Sequence, residues 1–263
     1  MLNFCSLYSG STGNSLFIES DHSKILVDAG ESAKKIVDAL SVYGVNITEI
    51  DAILVTHEHS DHIKSIGTLS SKYNIPVYAN KETWDAMPDQ KNKILDEYRK
   101  LYIPNSMFEI KDLKISPFQI SHDAANPCGF SINTQNKKIS IATDLGHVSD
   151  DLVYNLEGSN FALLESNYDP NILKCSRYPY LLKQRIAGPN GHLSNSESGN
   201  LISILIKSGL SSVMLGHLSK ENNFPELAYQ TVVEELIHNK YDENSILINV
   251  AKRDCPSKII NIS

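Results

Sequence analysis

Apolar residues along this chain fall into short runs and alternations broken by Gly, Asn, Asp and Ser, the punctuation of a strand-rich fold with intervening helices. Three short strands are predicted over residues 2–8, 15–19 and 24–28, and a helix over 31–47 with Ile36, Val37, Leu40, Val42 and Tyr43 on one face. The run Ala52-Ile53-Leu54-Val55 has the length and branching of a buried strand. An amphipathic helix through Ile63, Ile66 and Leu69 follows it. Residues 76–79 read as a strand and 81–87 as a short helix. The charged region 88–100 reads as a solvated helix or mobile loop with no identifiable chemistry. Further strands are predicted over 107–110, 113–120, 129–134, 138–142, 160–165, 211–215 and 245–250. Helices are predicted through Leu201, Ile202, Leu205 and Ile206, with Ser194 or Asn195 as N-cap, and over 225–239. Without internal repeats or low-complexity linkers, residues 1–263 read as one domain.

Composition narrows the class. The chain has 263 residues, 41% of them hydrophobic, enough for one substantial core. No stretch approaches the roughly 18–20 apolar residues of a membrane span, and the start, Met1-Leu2-Asn3-Phe4-Cys5, lacks the pattern of a signal peptide. Cys5, Cys128, Cys175 and Cys255 are widely spaced, with no Cys-x-x-Cys pair, and read as thiols of a reducing compartment. The expected address is the cytoplasm. A net charge of −7 argues against a uniformly basic surface, yet a local cluster assisted by bound metal still suits nucleic acid.

The chemistry concentrates in Thr56-His57-Glu58-His59-Ser60-Asp61-His62, directly after the buried strand. His57 and His59, two apart in an extended segment, point the same way. Asp61 and His62 come after the chain turns and face a neighbouring point. That division suits two metal ions a few ångströms apart. Elsewhere, His122 and Asp144 each follow a predicted strand, as does Gly216-His217. The Gly- and hydroxyl-rich stretch of residues 9–15 suits a phosphate-binding nest or, equally, an ordinary hairpin loop. Residues 174–185 form the most basic stretch, with Tyr178 and Tyr180 interleaved. Cations for phosphates and rings for bases make it a candidate nucleic-acid contact, while a solvated helix with inward tyrosines fits the same composition.

The His-x-His-x-Asp-His string after a strand resembles the signature of the metallo-β-lactamase fold. The stretches Ser9-Gly10-Ser11-Thr12-Gly13-Asn14-Ser15, Ser121-His122-Asp123-Ala124-Ala125 and Gly191-His192-Leu193-Ser194-Asn195 resemble, more narrowly, the YycJ/WalJ/VicX family. This implies an α/β fold, a four-layer αββα sandwich of two mixed β-sheets flanked by helices. It also implies a ligand set: His57, His59 and His122 on one metal, Asp61, His62 and His217 on the other, and Asp144 bridging. Asp28 becomes the partner of a ligand histidine. Two divalent ions, zinc, manganese or iron, are the implied cofactors.

The activity the resemblance implies is metal-dependent phosphodiester hydrolysis, a DNA exonuclease with a metal-bridging hydroxide as nucleophile. Catalytic roles fall on Asp61 and His192. Substrate or phosphate contacts are expected from Ser11, Thr12, Asn14, Ser166, Asn167, Arg177, Lys183, Arg185 and Ser194. The partner is nucleic acid, DNA before RNA, without a membrane. Only about 48 residues separate Asp144 from His192, too few for the cap domain that RNA-processing relatives insert there. Two alternatives stand beside this reading. One is a hydrolase of cyclic or nucleotide phosphodiesters. The other is a non-catalytic metal-bearing regulator tied to two-component cell-wall signalling. Oligomeric state is not legible.

Overall fold

The computed structural model describes residues 1–242 and 244–262. In its first half β1 (Leu2–Tyr8), β2 (Ser15–Ser20) and β3 (Lys24–Val27) form a meander, followed by α1 (Ala33–Ser41), β4 (Ala52–Leu54), α2 (Ser60–Ile63), α3 (Ile66–Tyr73), β5 (Val77–Ala79), α4 (Lys81–Ala86), α5 (Pro88–Lys91) and β6 (Arg99–Leu101). The second half begins with β7 (Phe108–Ile110), β8 (Leu113–Gln119), β9 (Cys128–Asn133) and β10 (Lys138–Ala142). There follow α6 (Asp150–Leu156), β11 (Phe161–Glu165), α7 (Pro170–Cys175), α8 (Tyr180–Ile186), α9 (Asn195–Ile206), β12 (Ser212–Gly216), α10 (Pro225–His238) and β13 (Leu247–Val250). A last short strand, β14 (Ile260–Asn261), returns to the first half and pairs antiparallel with β1.

Two seven-stranded sheets result, in the orders β14-β1-β2-β3-β4-β5-β6 and β13-β12-β11-β10-β9-β8-β7. Each is antiparallel on one side and parallel on the other. Period-two alternation sorts the side chains. Phe4, Ile18, Ile25, Val27 and Leu54 of the first sheet meet Ile115, Phe130, Ile141, Phe161 and Leu163 of the second, and the Phe4 and Phe161 rings lie 4.7 Å apart. The opposite faces bury Leu26, Ile53 and Val55 under α1 and α3, and Ala162, Leu164, Val213 and Leu215 under α6, α9 and α10. Strands covered on both faces read as continuous apolar runs, which is why Ala52-Ile53-Leu54-Val55 stood out. The arrangement is the αββα sandwich.

Several boundaries differ from the sequence reading. α1 ends at Ser41, and Val42 is exposed rather than part of its buried face. The chain leaves the helix through Gly44, which takes a left-handed backbone at φ 72°. The charged region 88–100 is neither one solvated helix nor a loop. It holds α5 and the edge strand β6, which pairs with β5 despite its exposed Lys100 and Leu101. Charged residues on a sheet edge are a usual way to discourage further strand pairing, and here they hid the strand. Helix α6 and strand β14 were not anticipated. Cys5 and Cys128 are buried, Cys175 and Cys255 exposed. Among the described residues no helix is long and apolar enough to cross a membrane.

Candidate metal centre

Strands β3, β4, β8, β10, β11 and β12 end at one rim of the sandwich, so residues far apart in sequence converge there. Three of them adopt the left-handed backbone that a side chain tolerates only at some cost: Asp28 (φ 61°), Asp144 (φ 59°) and His217 (φ 55°). Asp28 and His217 directly follow a strand, and Asp144 comes two residues after one. The left-handed turn ends the strand abruptly and leaves the side chain at the rim.

Among the described residues four overlapping groups of ligand-type atoms form, one of them Asp144, Glu165, His192 and His217. Those of His57, His59 and His122 lie within 4.8 Å of one another, as do those of Asp61, His62 and His217. Asp144 stands between them, grouped with both His57 and His62, and its carboxylate lies 3.4 Å from His62 Nε2, 3.7 Å from His122 Nε2 and 3.4 Å from His217 Nδ1. His57, His62, His122, Asp144 and His217 are buried, while His59 and Asp61 keep partial exposure on the cleft side.

The imidazoles are oriented from behind. His62 Nδ1 donates to Asp28 Oδ2 at 2.7 Å, and Asp28 also accepts from the Thr56 amide and hydroxyl at 2.9 and 2.8 Å. The Thr56 hydroxyl proton thus goes to Asp28, so His57 Nδ1, 3.0 Å from that oxygen, is the donor of their pair. His122 Nδ1 faces the Gly191 carbonyl at 3.2 Å. His217 and His192 both present Nδ1 to Glu165 Oε1, at 2.7 and 2.8 Å. A carboxylate or carbonyl only accepts, so in each case the Nδ1 proton points backwards and Nε2 is left for the cleft.

The electrostatics call for cations. Asp28, Asp144 and Glu165 are buried, with Asp61 beside them, and among the described cleft-lining residues Arg185 is the sole Lys or Arg. Burial opposes charge on His62, but Asp28, Asp144 and Asp61 outweigh it and push its pKa up to about 9. Burial likewise opposes charge on His217, and Asp144, Asp61 and Glu165 hold it well above the ordinary value. Burial and the neighbouring imidazoles hold His57 well below it, neutral with a lone pair to give. His57 Nε2, Asp144 Oδ2 and His217 Nε2 are buried atoms without a hydrogen-bond partner. Unpaired buried nitrogen and oxygen atoms of this kind inside a His/Asp cluster fit divalent metal ions, which satisfy the atoms and offset the carboxylates together.

Around this centre the sequence-expected contacts divide. His192 lines the cleft, with a fifth of its side chain exposed, and Ser11, Asn167 and Arg185 line it too. Thr12 stands on the adjoining rim with Ser11. Five residues expected to touch phosphate are spent elsewhere, among them Asn167, which is buried at the cleft and donates to the His217 carbonyl at 2.8 Å. Asn14 is buried, with its amide 3.3 Å from Asp61 Oδ2 and 3.0 Å from His62 Nε2. Ser166 is fully buried and donates to Asn195 Oδ1. Ser194 caps α9 in a reciprocal box with Glu197. Lys183 Nζ donates to the carbonyls of Lys174 and Ser176, both at 2.7 Å. Arg185 is tied to Asp123 at 2.5 Å, and Arg177 stays exposed away from the cleft lining. Short polar side chains beside a turn serve the backbone first, and local sequence does not distinguish that from ligand binding.

Glu165 was missed as a site residue. Its signal was available: a carboxylate closing an apolar strand at the rim, as Asp28 and Asp144 do.

Residues 23–217 match the model of the β-lactamase superfamily domain, and the chain belongs to that superfamily of metallo-β-lactamase-fold proteins. Within it the chain belongs to the YycJ/WalJ family. It is 39% identical to exodeoxyribonuclease YycJ of Bacillus anthracis over 89% of both chains. It is 40% identical to exodeoxyribonuclease WalJ of Streptococcus pneumoniae over 88% of this chain and 86% of that one. Among solved structures, the metallo-beta-lactamase fold protein YhfI of Bacillus subtilis superposes with a TM-score of 0.72 over 97% of this chain and 98% of that one. At 16% identity that likeness speaks for the fold alone.

Proposed function

We propose that this protein is a metal-dependent phosphodiesterase that shortens DNA from an end. The observation that carries the reading is the pair of three-residue donor clusters meeting at Asp144, with His192 aimed at the same cleft from Glu165. The names of the 39–40% identical relatives favour DNA as the polymer. In this reading His57, His59 and His122 would hold one divalent ion, Asp61, His62 and His217 would hold a second, and Asp144 stands between the two sets. Imidazole-rich sites favour zinc, and the added carboxylates also suit manganese or iron. Such ions acidify water towards neutral pH and offset the charge that grows on phosphate oxygens.

The chain's own groups do the rest. Asp28, Thr56, Gly191 and Glu165 fix which ring nitrogen of His62, His57, His122, His192 and His217 faces the cleft, so these groups need little rearrangement. Asp61, partly exposed, orients the attacking water. His192 holds its Nδ1 proton against Glu165 and hands a proton from Nε2 to the leaving oxygen. Asn14 and Asn167 act as positioning residues for Asp61 and His217, while Ser11, Thr12 and Arg185 are the phosphate contacts. Arg185 exchanges Asp123 for a phosphate. Residues 1–263 act as one domain without an inserted cap, in the cytoplasm.

The test is turnover of end-labelled single- and double-stranded DNA and RNA by protein loaded separately with zinc and manganese, beside His59→Ala. Stepwise shortening of DNA that needs His59 is the expected result. Intact polymers with hydrolysis of bis-p-nitrophenyl phosphate would replace this reading by a small-phosphodiester hydrolase. Inertness towards both would leave a metal-bearing regulator.

A further inference from the structure

Two grooves adjoin the metal cleft, and their chemistry is opposite. The first, about 540 Å³, shares Ser11 and Asp61 with the cleft. Three carboxylates line it, Glu58, Asp61 and Asp89, against one lysine, Lys64. The second, about 550 Å³, shares Tyr178 with the cleft. Its walls are Tyr168, Tyr178, Tyr180, Leu173 and the stems of Lys174 and Lys183, with no carboxylate among the described lining residues. Beyond Ser11 and Thr12 the first groove turns Glu58 and Asp89 towards a polyanion leaving the cleft, while the second sets no carboxylate against it.

The second groove is built but not filled by the protein. Helix α8 buries none of its residues, and Tyr180 is 72% exposed. The Tyr180 hydroxyl accepts from Gln184 Nε2 at 2.9 Å, which steadies the ring. Lys183 bonds the carbonyls of Lys174 and Ser176, so it ties α8 to the end of α7 and keeps a charge at the groove wall. Rings of this kind accept any base on their faces, and the exposed Lys174 on the same wall suits the backbone. A volume of this size has room for a nucleoside rather than for a helix of a partner protein.

We propose that the Tyr178–Tyr180 groove takes unpaired bases of the strand being cut. The strand then runs from the metal cleft past Tyr178, its bases released from their complement as they enter. This rests on the phosphodiesterase reading and adds to it a base-stacking subsite and a direction of exit. Tyr178 stands at the junction and Tyr180 on the outer wall.

The experiment uses the full chain, stripped of metal by chelation so that nothing is cut, with oligodeoxynucleotides carrying 2-aminopurine at successive positions from each end. Expected are quenching confined to positions near one end, loss of that quenching in Tyr180→Ala, and a roughly tenfold weaker anisotropy-measured affinity for oligo-dT. Tyr180→Phe keeps both. Because Tyr180 is mostly exposed, its replacement leaves the fold intact, which circular dichroism checks. Binding without quenching, affinity unchanged in Tyr180→Ala, or no binding at all would overturn the proposal. So would a dimer in sedimentation that Tyr180→Glu dissociates while oligonucleotide affinity persists, since the groove would then belong to a second copy. Metal-loaded protein separates the two readings. Equal DNA cutting by wild type and Tyr180→Ala below saturation removes the subsite and keeps the phosphodiesterase. Tyr180-dependent quenching without any cutting does the reverse.

Discussion

Glu165 Oε1 lies 2.7 Å from His217 Nδ1, and the same oxygen reaches His192 Nδ1 at 2.8 Å. Its other oxygen accepts from the backbone amides of Leu145 and Leu193, at 2.6 and 3.2 Å. All four partners donate. Glu165→Gln therefore sets its amide group either against two backbone N–H donors or against two imidazoles that must give up their Nδ1 protons. The buried mismatch costs about 1–3 kcal/mol. We expect turnover of end-labelled DNA to fall roughly a hundredfold, part of it through weaker metal binding at His217, measured by steady-state kinetics at saturating metal beside elemental analysis. An unchanged kcat would separate His192 orientation from Glu165.

Asp28 accepts three hydrogen bonds, from His62 and from two groups of Thr56. In Asp28→Asn the amide can no longer accept from all of them, and the tautomer of His62 is released. Removing such a partner typically weakens metal affinity by about 10- to 100-fold. Competition against a chromophoric chelator measures it. Affinity equal to wild type would show that His62 is held by the surrounding backbone alone.

Chelation leaves Asp28, Asp144 and Glu165 buried together without a compensating cation. Ligand bound at about a hundred times its Kd stabilises by about 2.7 kcal/mol, and in a chain of this size each kcal/mol moves Tm by about 2–4 °C. Scanning calorimetry is therefore expected to show a Tm roughly 5–10 °C lower after EDTA and dialysis, restored by added zinc or manganese. A Tm insensitive to chelation would contradict a metal held by these buried groups.

Gly30 sits where a Cβ would lie 1.6 Å from the Asp61 carbonyl and 2.7 Å from the Asn14 amide. Those two groups are bonded to each other at 2.8 Å, so the loop of residues 9–15 meets Asp61 only because residue 30 has no side chain. Gly30→Ala must part them. Destabilisation of more than about 4 kcal/mol in urea unfolding is expected, the range reserved for severe steric or core defects. A loss below about 1 kcal/mol would mean the loop shifts freely.

Local sequence sufficed for the sheets and for the junction at His57, His59, Asp61 and His62. Doubly covered strands leave continuous apolar runs, and four ligand-type residues in one turn of chain lie close in almost any fold. Asp28 is marked by its place at a strand end, whereas Asp144 and His217 follow from the family resemblance, since taken singly a polar residue after a strand reads as an ordinary turn residue. Edge strand β6 stayed hidden because its residues face solvent and carry charge, and β14 because its two residues form a strand only against β1.

Packing assigned everything that depends on a distant partner. Ser9 receives the His217 amide across 208 positions of sequence, and Glu165 gathers His192 and His217 from separate elements. Asn14 and Ser166 looked like phosphate ligands by type and were claimed by partners far away in sequence, while Lys183 was claimed by carbonyls seven and nine residues away and Ser194 by the helix it caps, a role its own sequence offered. A side chain's chemistry is written in its residue type. Whether that chemistry is spent on the protein's own backbone or offered to a ligand is settled by which groups the fold brings within about 3 Å of it.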